Sequence, residues 1–290
     1  MKTSTATRIT GPITHHGEGP FWDMRTGRLL LVDLLAGAVV SLDAEGNLQR
    51  HPVPSTVACL VRRRREGGFV IATERGLVFA EEDLHTFSPG PEFLNDEKAR
   101  LNEGGCDPHG SLFIGSMAYD GAEGEGSLFR ITADRTEVDV AVSKVSISNG
   151  LQWSADGTRA FYIDTPTRRV DVFDVDPSDG GWSNRRAFIE VQNTPGFPDG
   201  MAIDQADGLW VALWGGSAVH HYDAHGTLVE IIEVPGVSQV TACAFGGPTM
   251  TTLYITTSRD GLADNAEPLA GSVFAMATSQ PGAHLHEYAG

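Results

Sequence analysis

The amino-acid sequence predicts an all-β protein, and more narrowly a six-bladed β-propeller. A short strand-like run recurs six times, and successive runs begin 40, 43, 48, 49 and 44 residues apart. No 12-residue stretch shows the 3.6-residue periodicity of an amphipathic helix. A repeat of about 40 to 50 residues built from short antiparallel strands has the size of one propeller blade, and propellers carry about 4 to 8 blades.

The six runs have the composition of strands that are buried on both faces. They are rich in β-branched and aromatic residues and contain no proline. Glycine or aspartate precedes most of them, as in hairpin turns, and a further strand-like segment follows each. The runs are Arg28–Asp33, Gly68–Thr73, Ser111–Ser116, Arg159–Asp164, Gly208–Leu213 and Thr252–Thr257. The segments that follow are Ala38–Leu42, Gly76–Ala80, Ser127–Ile131, Val170–Val175, Ala218–Tyr222 and Ser272–Met276.

The beginning of the chain is predicted to close the ring of blades. Because the first repeat begins late, we expect the segment around Thr7 to Thr10 to add an outer strand to the sixth blade, which removes an exposed edge. Residues 1–290 would then form a single domain. A two-domain β-sandwich also gives short strands with glycine-rich turns, although the long and nearly even period favours the propeller.

Composition and charge narrow the range of functions. The chain has 290 residues with 38 acidic and 21 basic side chains, a formal net charge of -17 and an isoelectric point near 4.9. Such an acidic chain repels phosphate backbones and anionic lipids, so we expect neither a nucleic-acid partner nor a membrane partner. Metal cations and neutral small molecules stay open as ligands.

The sequence also predicts a cytoplasmic location. Residues 1–14 lack the apolar run of an export signal, and no segment approaches the roughly 18 apolar residues of a membrane span. The three cysteines, Cys59, Cys106 and Cys243, are an odd number without a CxxC pair. This pattern argues against a disulfide framework and is typical of a reducing compartment.

One position of the repeat is polar in most blades. It lies nine or ten residues before each run and is occupied by Glu18, Ala58, Asn102, Asn149, Asp199 and Ala242. Equivalent positions of propeller blades converge on one end of the central channel, so we expect the four polar side chains to meet there. The alternative is that pairs such as Asn149-Gly150 and Asp199-Gly200 are simply turn formers.

Oxygen ligands that converge in a confined site suit a divalent metal ion. Carboxylates and amides favour Ca²⁺, Mg²⁺ or Mn²⁺ and can also hold Zn²⁺ or Fe²⁺ with water in the open positions. Glu18 and Asp199 contribute two negative charges, which such an ion would neutralise. Without a cation the two carboxylates would repel each other, and one would be pushed toward protonation.

Other candidate residues carry weaker signals. His16 would share a face of an extended chain with Glu18, although His15 and His16 also fit a surface or a pocket rim. Trp153, Trp210 and Trp214 are expected in the core rather than as stacking platforms. The chain has no G-x-S-x-G, H-E-x-x-H, P-loop or G-x-G-x-x-G motif, so serine-hydrolase, zincin, P-loop and Rossmann chemistry lose their support.

Eight short stretches together resemble one known family. They are residues 16–22 (HGEGPFW), 100–104 (RLNEG), 107–110 (DPHG), 115–117 (GSM), 148–151 (SNGL), 161–165 (FYIDT), 198–201 (PDGM) and 245–248 (FGGP). In this order they resemble the gluconolactonase, regucalcin (senescence marker protein) and luciferin-regenerating-enzyme-like propellers, a family of sugar lactonases. The stretches span nearly the whole chain, and as a set they are specific.

The resemblance implies roles for individual residues. Glu18, Asn149 and Asp199 would bind one divalent metal, and Asp199 would also be the catalytic acid and base of lactone hydrolysis. Arg100 and Asn102 would hold the substrate.

Two further substrate contacts follow from the same resemblance. Glu103 stands where the family commonly has aspartate, and its extra methylene would shift a contact to water or to a hydroxyl group. Asp120 would reach the substrate from a loop whose continuation, residues 121–126, is glycine-rich and acidic like a mobile lid. Tyr119 beside it would help to select the sugar.

The sequence therefore predicts a metal-dependent hydrolase that opens a sugar lactone to its aldonic acid, with a small-molecule partner. Lactones are activated esters, so the missing serine motif is no obstacle. The main alternative is a non-catalytic propeller that binds calcium or another protein, because the fold alone does not select a function. An aryl-ester or phosphotriester hydrolase of similar architecture is a third possibility.

Overall fold

The computed structural model describes residues 1–134 and 137–290, which form the six blades of a β-propeller. In chain order the strands are β1 (Lys2–Thr5), β2 (Thr7–Arg8), β3 (Gly17–Asp23), β4 (Arg28–Asp33), β5 (Ala38–Leu42), β6 (Leu48–Pro52), β7 (Ala58–Arg63), β8 (Phe69–Thr73), β9 (Gly76–Ala80), β10 (Phe87–Glu92), β11 (Ala99–Cys106), β12 (Leu112–Ala118), β13 (Gly126–Ile131), β14 (Val138–Val145), β15 (Ser148–Trp153), β16 (Arg159–Asp164), β17 (Arg169–Val175), β18 (Trp182–Glu190), β19 (Phe197–Ile203), β20 (Leu209–Trp214), β21 (Ala218–Tyr222), β22 (Leu228–Glu233), β23 (Val240–Gly246), β24 (Thr252–Thr257) and β25 (Phe274–Ala277). The predicted fold class is confirmed.

Each predicted run is the second strand of its blade, and the strand before it is the innermost. The first strands are β3, β7, β11, β15, β19 and β23. Each of them contacts the first strand of the next blade, and β23 contacts β3, so the six strands form a closed ring around the channel. This closed ring excludes the two-domain β-sandwich. The segments predicted to follow the runs are the third strands.

The predicted closure of the ring is confirmed and is more extensive than expected. Strand β2 pairs with β25 as the outer strand of the sixth blade, with Thr7 opposite Ala275 and Arg8 opposite Phe274. Strand β1 was not predicted; it pairs in parallel with β22 and gives the fifth blade a fifth strand. Its sequence, KTST, carries no apolar signal, because this outer strand is largely exposed.

Helical structure is minor, as predicted. Two 3₁₀ turns, Leu34–Ala36 and Thr165–Thr167, connect the second and third strands of blades one and four. Within the described ranges, no helix is long and apolar enough to cross a membrane.

The core lies between neighbouring blades. The largest apolar cluster joins the first three blades and includes Val32, Ile71 and Ile114, each 0% exposed. Burial of one such side chain stabilises the fold by about 1.5–3 kcal/mol, so the contacts between blades hold the ring together.

The two ends of the channel are built differently. We call the end where the first strands begin the upper end, and the end where they finish the lower end. Residues 281–290 cross the lower end from the fifth blade, where Ala283 N donates to Ile203 O at 3.0 Å, to the second, where Tyr288 N donates to Arg63 O at 2.9 Å. Tyr288 is 0% exposed, and Leu285 lies against the first strands. The lower end is therefore covered by the chain itself.

Candidate functional site

The polar repeat position coincides with a β-bulge in every blade. The pairing of the first and second strands shifts register between Glu18 and Phe21, Ala58 and Leu60, Leu101 and Gly104, Asn149 and Leu151, Pro198 and Met201, and Val240 and Ala242. A bulge bends a strand and changes the direction of a side chain. The six bulges thus explain how one repeat position can face the upper end of the channel all around the ring.

The interpretation of the glycine pairs as turn formers is wrong. Asn149-Gly150 and Asp199-Gly200 lie within strands β15 and β19. A Cβ on Gly150 would lie 2.8 Å from the carbonyl oxygen of Asp199, and one on Gly200 would lie 2.5 Å from the Cβ of Ala242. These glycines let the first strands of blades four, five and six approach closely, which brings the polar side chains together.

A cavity of about 240 Å³ opens at the upper end of the channel. Its walls are His16, Glu18, Arg100, Asn102, Met117, Ile147, Asn149, Thr165, Asp199, Trp214 and Asp260. Five of the predicted metal-binding, catalytic and substrate-binding residues therefore meet here: Glu18, Arg100, Asn102, Asn149 and Asp199. All five are buried, with 5–7% of their surface exposed.

A chain of hydrogen bonds crosses the cavity floor from blade three to blade five. Arg100 Nη1 donates to Asn102 Oδ1 at 2.6 Å, and Asn102 Nδ2 donates to Asn149 Oδ1 at 3.1 Å. Asn149 Nδ2 then donates to Thr165 Oγ1 at 2.8 Å, and the Thr165 hydroxyl donates to the carbonyl oxygen of Pro198 at 2.8 Å. The chain holds the two amides in defined orientations.

The carboxylates of the cavity are poorly compensated. Burial and the nearby charge of Glu103 raise the pKa of Glu18, and burial together with the charges of Glu18 and Glu103 raises the pKa of Asp199. Glu18 Oε2 is buried and has no hydrogen-bond partner among the residues that the structure describes. The charge of Glu18 thus acts on Asp199 in the direction expected from the sequence.

This donor set fits a hard divalent cation. Within residues 1–134 and 137–290, no three or more His, Cys, Asp or Glu side chains form a metal-binding group. A metal at this cavity would therefore use the amide oxygen of Asn149 beside the carboxylates of Glu18 and Asp199. A bound cation would coordinate the unpartnered carboxylate oxygen of Glu18. It would also offset the repulsion between the carboxylates of Glu18 and Asp199.

Glu103 lies beneath the cavity rather than in its wall. It borders a smaller space of about 20 Å³ together with Arg62, Gln152 and Leu285. Burial raises the pKa of Glu103 to about 7, and within the described part of the chain its Oε2 has no hydrogen-bond partner. Arg62 donates from Nη1 to the carbonyl oxygens of Gly19 and Val61 at 3.1 and 2.8 Å. A direct contact of Glu103 with substrate stays a prediction.

Asp120 is also outside the cavity wall. It is exposed, and its Oδ1 accepts a hydrogen bond from Ala122 N at 3.0 Å in the turn after β12. Tyr119 is 50% exposed and its hydroxyl donates to Glu74 Oε1 at 2.5 Å. The segment therefore lies at the surface as expected, and its contact with substrate stays a prediction.

His16 is part of the cavity wall and not a surface residue. Its Nδ1 lies 2.7 Å from Ser258 Oγ, and its Nε2 lies 3.6 Å from Glu18 Oε1. Burial and the charge of Arg100 lower its pKa to about 4, so the ring is neutral at physiological pH. His15 is the exposed member of the pair, and its Nε2 lies 3.4 Å from Asp260 Oδ1.

The prediction that all three tryptophans lie in the core is wrong for one of them. Trp153 and Trp210 are 5% and 2% exposed, as expected. Trp214 is half-buried at the end of β20 and lines the cavity, with its ring centroid 5.8 Å from that of His16. It offers an aromatic wall to a ligand.

Sequence reasoning missed the wall residues that follow the second strands. Thr165 follows β16, Trp214 ends β20, and Asp260 comes shortly after β24. The second strand runs antiparallel to the first, so its end returns to the upper end of the channel. The residues at the ends of the six runs were therefore the signal that could have found them.

The fold and the site together define a six-bladed propeller with a buried acidic and amide site at the upper end of its channel. The family model described as SMP-30/Gluconolactonase/LRE-like region matches residues 16–259. The chain belongs to this family, which confirms the resemblance seen in the sequence.

Similar proteins come from distant organisms. Pentonolactonase XacC of Haloferax volcanii is 34% identical over 287 residues, which cover 96% of this chain and 97% of that protein. Regucalcin of Bos taurus is 34% identical over 273 residues, covering 90% of each. The crystal structure of a calcium-binding protein, regucalcin, from Agrobacterium tumefaciens has a TM-score of 0.92 at 28% identity and covers 99% of both chains.

Proposed function

We propose that this protein is a metal-dependent sugar lactonase that hydrolyses an aldonolactone to its aldonic acid. The observation that carries the proposal is the convergence of Glu18, Asn149 and Asp199, together with Arg100 and Asn102, on one cavity of about 240 Å³. Membership of the family and the likeness to a pentonolactonase support this chemistry. The substrate would be a neutral small molecule that fits within the channel mouth.

Glu18, Asn149 and Asp199 would hold the metal. When bound, a divalent ion supplies Lewis acidity for the lactone carbonyl and neutralises the two carboxylates. The oxygen donors suit Ca²⁺, Mg²⁺ and Mn²⁺ and also accept Zn²⁺ or Fe²⁺. The likeness to a regucalcin described as calcium-binding makes Ca²⁺ one of the ions to test.

Asp199 is the proposed acid and base. It would take a proton from the attacking water and return it to the ring oxygen that leaves. Burial and the charges of Glu18 and Glu103 raise the pKa of Asp199 in the absence of a cation. A bound divalent ion would oppose this rise and keep the carboxylate ionised, ready to accept the proton of the water.

Arg100 and Asn102 are the proposed substrate holders. The Arg100 bonds to Leu101 O and Asn102 Oδ1 both use Nη1. A guanidinium has five N–H donors, so donors remain for the substrate hydroxyls. Fixed hydrogen-bonding groups of this kind contribute to the rate by orienting the substrate. Glu103 and Asp120 complete the proposed substrate contacts, Asp120 through a movement of its loop.

We also infer that residues 1–290 work as one unit and that the protein is cytoplasmic. The cavity takes its wall residues from blades one, three, four, five and six, so no smaller part of the ring contains it. The free thiols of Cys59, Cys106 and Cys243 are all buried, which suits a reducing compartment.

A lactonase assay with metal removal tests the proposal. Purified protein would be added to weakly buffered pentono- and gluconolactones, and acid release would be followed with a pH indicator. We expect acidification above the spontaneous rate, loss of activity after exhaustive chelation, and recovery with one of the divalent ions. A rate that is indifferent to chelation would contradict metal dependence.

The alternative function, a calcium-binding propeller without catalysis, is favoured by one observation, the likeness to a protein described as calcium-binding. The same assay separates the two. Stoichiometric Ca²⁺ binding with no acid release from any aldonolactone would support the alternative and contradict the lactonase.

A further inference from the structure

The side-chain amide of Asn149 can serve a cation with only one of its two ends. Its oxygen can bind a cation, whereas its NH₂ group would repel it, and the two ends have nearly the same shape. The orientation of this amide therefore decides whether Glu18 and Asp199 have a third ligand beside them.

The hydrogen-bond chain through Asn149 begins at a group that can only donate. Arg100 has no acceptor atom, so Asn102 must turn its oxygen toward Nη1, at 2.6 Å. The Asn102 nitrogen then faces away and donates to Ser148 O at 2.7 Å and to Asn149 Oδ1 at 3.1 Å.

The same chain ends at a group that can only accept. The carbonyl oxygen of Pro198 takes the single proton of the Thr165 hydroxyl at 2.8 Å. Thr165 Oγ1 therefore presents a lone pair to Asn149, and only the NH₂ end of the amide satisfies it, at 2.8 Å. A flipped amide would place oxygen against oxygen, or would take the proton away from Pro198.

We propose that Thr165 is a positioning residue that fixes the Asn149 amide with its oxygen available to the metal. The same hydroxyl donates to Pro198, which directly precedes Asp199. It therefore links strand β15, which carries Asn149, to strand β19, which carries Asp199. Thr165 is 9% exposed and lines the cavity, so its hydroxyl is shielded from competing bulk water. This inference rests on the proposed metal site and identifies what orients it.

The test compares the metal affinity of three proteins, two with a hydroxyl group at residue 165 and one without it. Chelator-treated wild-type protein, Thr165→Val and Thr165→Ser would be titrated with Mn²⁺ and followed by electron paramagnetic resonance. Thr165→Val keeps the shape and removes the hydroxyl, so we expect affinity to fall about 10–100-fold, as is typical when an outer-sphere partner is lost. Thr165→Ser keeps the hydroxyl and should bind within about threefold of the wild type. Circular dichroism would confirm that each variant is folded.

The same Thr165→Val substitution in Asn149→Asp protein separates the effect on amide orientation from an effect on side-chain packing. In Asn149→Asp both ends of the side chain are oxygens, so orientation no longer matters. We expect Thr165→Val to weaken Mn²⁺ binding much less in this background than in the wild type. A structural defect caused by valine would weaken binding equally in both backgrounds, and that result would overturn the proposal.

The remaining outcomes separate this inference from the proposed function. Equal Mn²⁺ affinity of wild type and Thr165→Val, or equal loss in Thr165→Ser and Thr165→Val, overturns the positioning role and leaves the metal site standing. Wild-type protein that binds no Mn²⁺ overturns the metal site and this inference with it.

Discussion

Two buried carboxylates on the same strand, Asp23 and Glu18, illustrate how the two ends of the channel differ. At the lower end Asp23, 1% exposed, receives hydrogen bonds from Arg63 at 3.0 and 2.6 Å. At the upper end Glu18, 6% exposed, has an oxygen that finds no hydrogen-bond partner in residues 1–134 and 137–290. The Arg63 side chain and other hydrogen bonds lower the pKa of Asp23, whereas burial raises that of Glu18.

The difference indicates that the lower end of the channel contributes to stability and that the upper end serves function. A buried carboxylate with a partner depends on that partner for the stability of the fold, whereas an uncompensated one costs stability and is a candidate for ligand binding. Glu103 and Arg62 lie between the two ends. If this division is correct, substitutions at one end should change catalysis and substitutions at the other should change stability.

The largest expected effect is loss of turnover at the upper end. Asp199→Asn removes the proposed acid and base and one metal ligand, so kcat should fall by at least about 10²–10⁴-fold. The urea midpoint of chelator-treated protein should not decrease, because a repelling charge has been removed and no bound metal is lost. Asp176→Asn, the same change at an exposed turn, is the matched control. Full activity of Asp199→Asn in an acid-release assay would refute its role.

The next effect is a loss of stability at the lower end. Arg63→Met leaves Asp23 buried without its partner, which should lower the free energy of unfolding by about 3–5 kcal/mol. Turnover per folded molecule should stay the same. Glu82→Gln removes the solvent-exposed partner of Arg63 and should cost less than about 1 kcal/mol. Urea unfolding measures the free energy of unfolding of both variants. An Arg63→Met protein as stable as the wild type would contradict a stabilising role of the Arg63–Asp23 pair.

A smaller effect is expected from Glu103, which lies between the two ends, on the pH dependence of the free energy of unfolding. The pKa of Glu103 is raised from 4.5 to about 7 by burial, so the folded state holds this proton more tightly than the unfolded chain. The contribution of Glu103 to the stability of the chelator-treated protein should therefore be largest below pH 4.5 and should fall with a negative slope as the pH rises toward 7. Glu103→Gln should flatten this slope, whereas Glu45→Gln at the surface should not. Equal slopes in urea unfolding across this range would show that Glu103 is not the cause.

The smallest expected effect is on substrate binding at the cavity wall. Trp214→Phe keeps an aromatic surface and should raise KM about threefold, whereas Trp214→Ala should raise it about tenfold, since an aromatic contact contributes about 0.5–1.5 kcal/mol. Because Trp214 is not a proposed ligand, Mn²⁺ affinity should not change. A KM for Trp214→Ala equal to that of the wild type would remove this residue from the substrate site.

The fold could be predicted from sequence because every blade repeats one signal, a strand without proline at a nearly constant period. Strand β1 was not predicted because a largely exposed outer strand needs no apolar pattern. The polar positions of the first strands were visible for the same reason as the blades, since they repeat.

The rest of the site depends on geometry that the sequence does not encode locally. Asn102 lines the cavity and Glu103, its neighbour, lies beneath it, and the bulge between Leu101 and Gly104 interrupts the alternation that would have placed them. Thr165 and Trp214 lie in unrelated stretches of sequence and share only their place at or just after the end of a second strand. Such residues become recognisable only when the antiparallel pairing of each blade is known.

The central claim is that Glu18, Asn149 and Asp199 share one metal ion, and Mn²⁺ titration of chelator-treated protein tests it most directly. We predict one ion bound per wild-type chain, none at comparable concentrations in Glu18→Gln or Asp199→Asn, and one in folded Arg63→Met. Unchanged Mn²⁺ affinity in Glu18→Gln and in Asp199→Asn would contradict the claim.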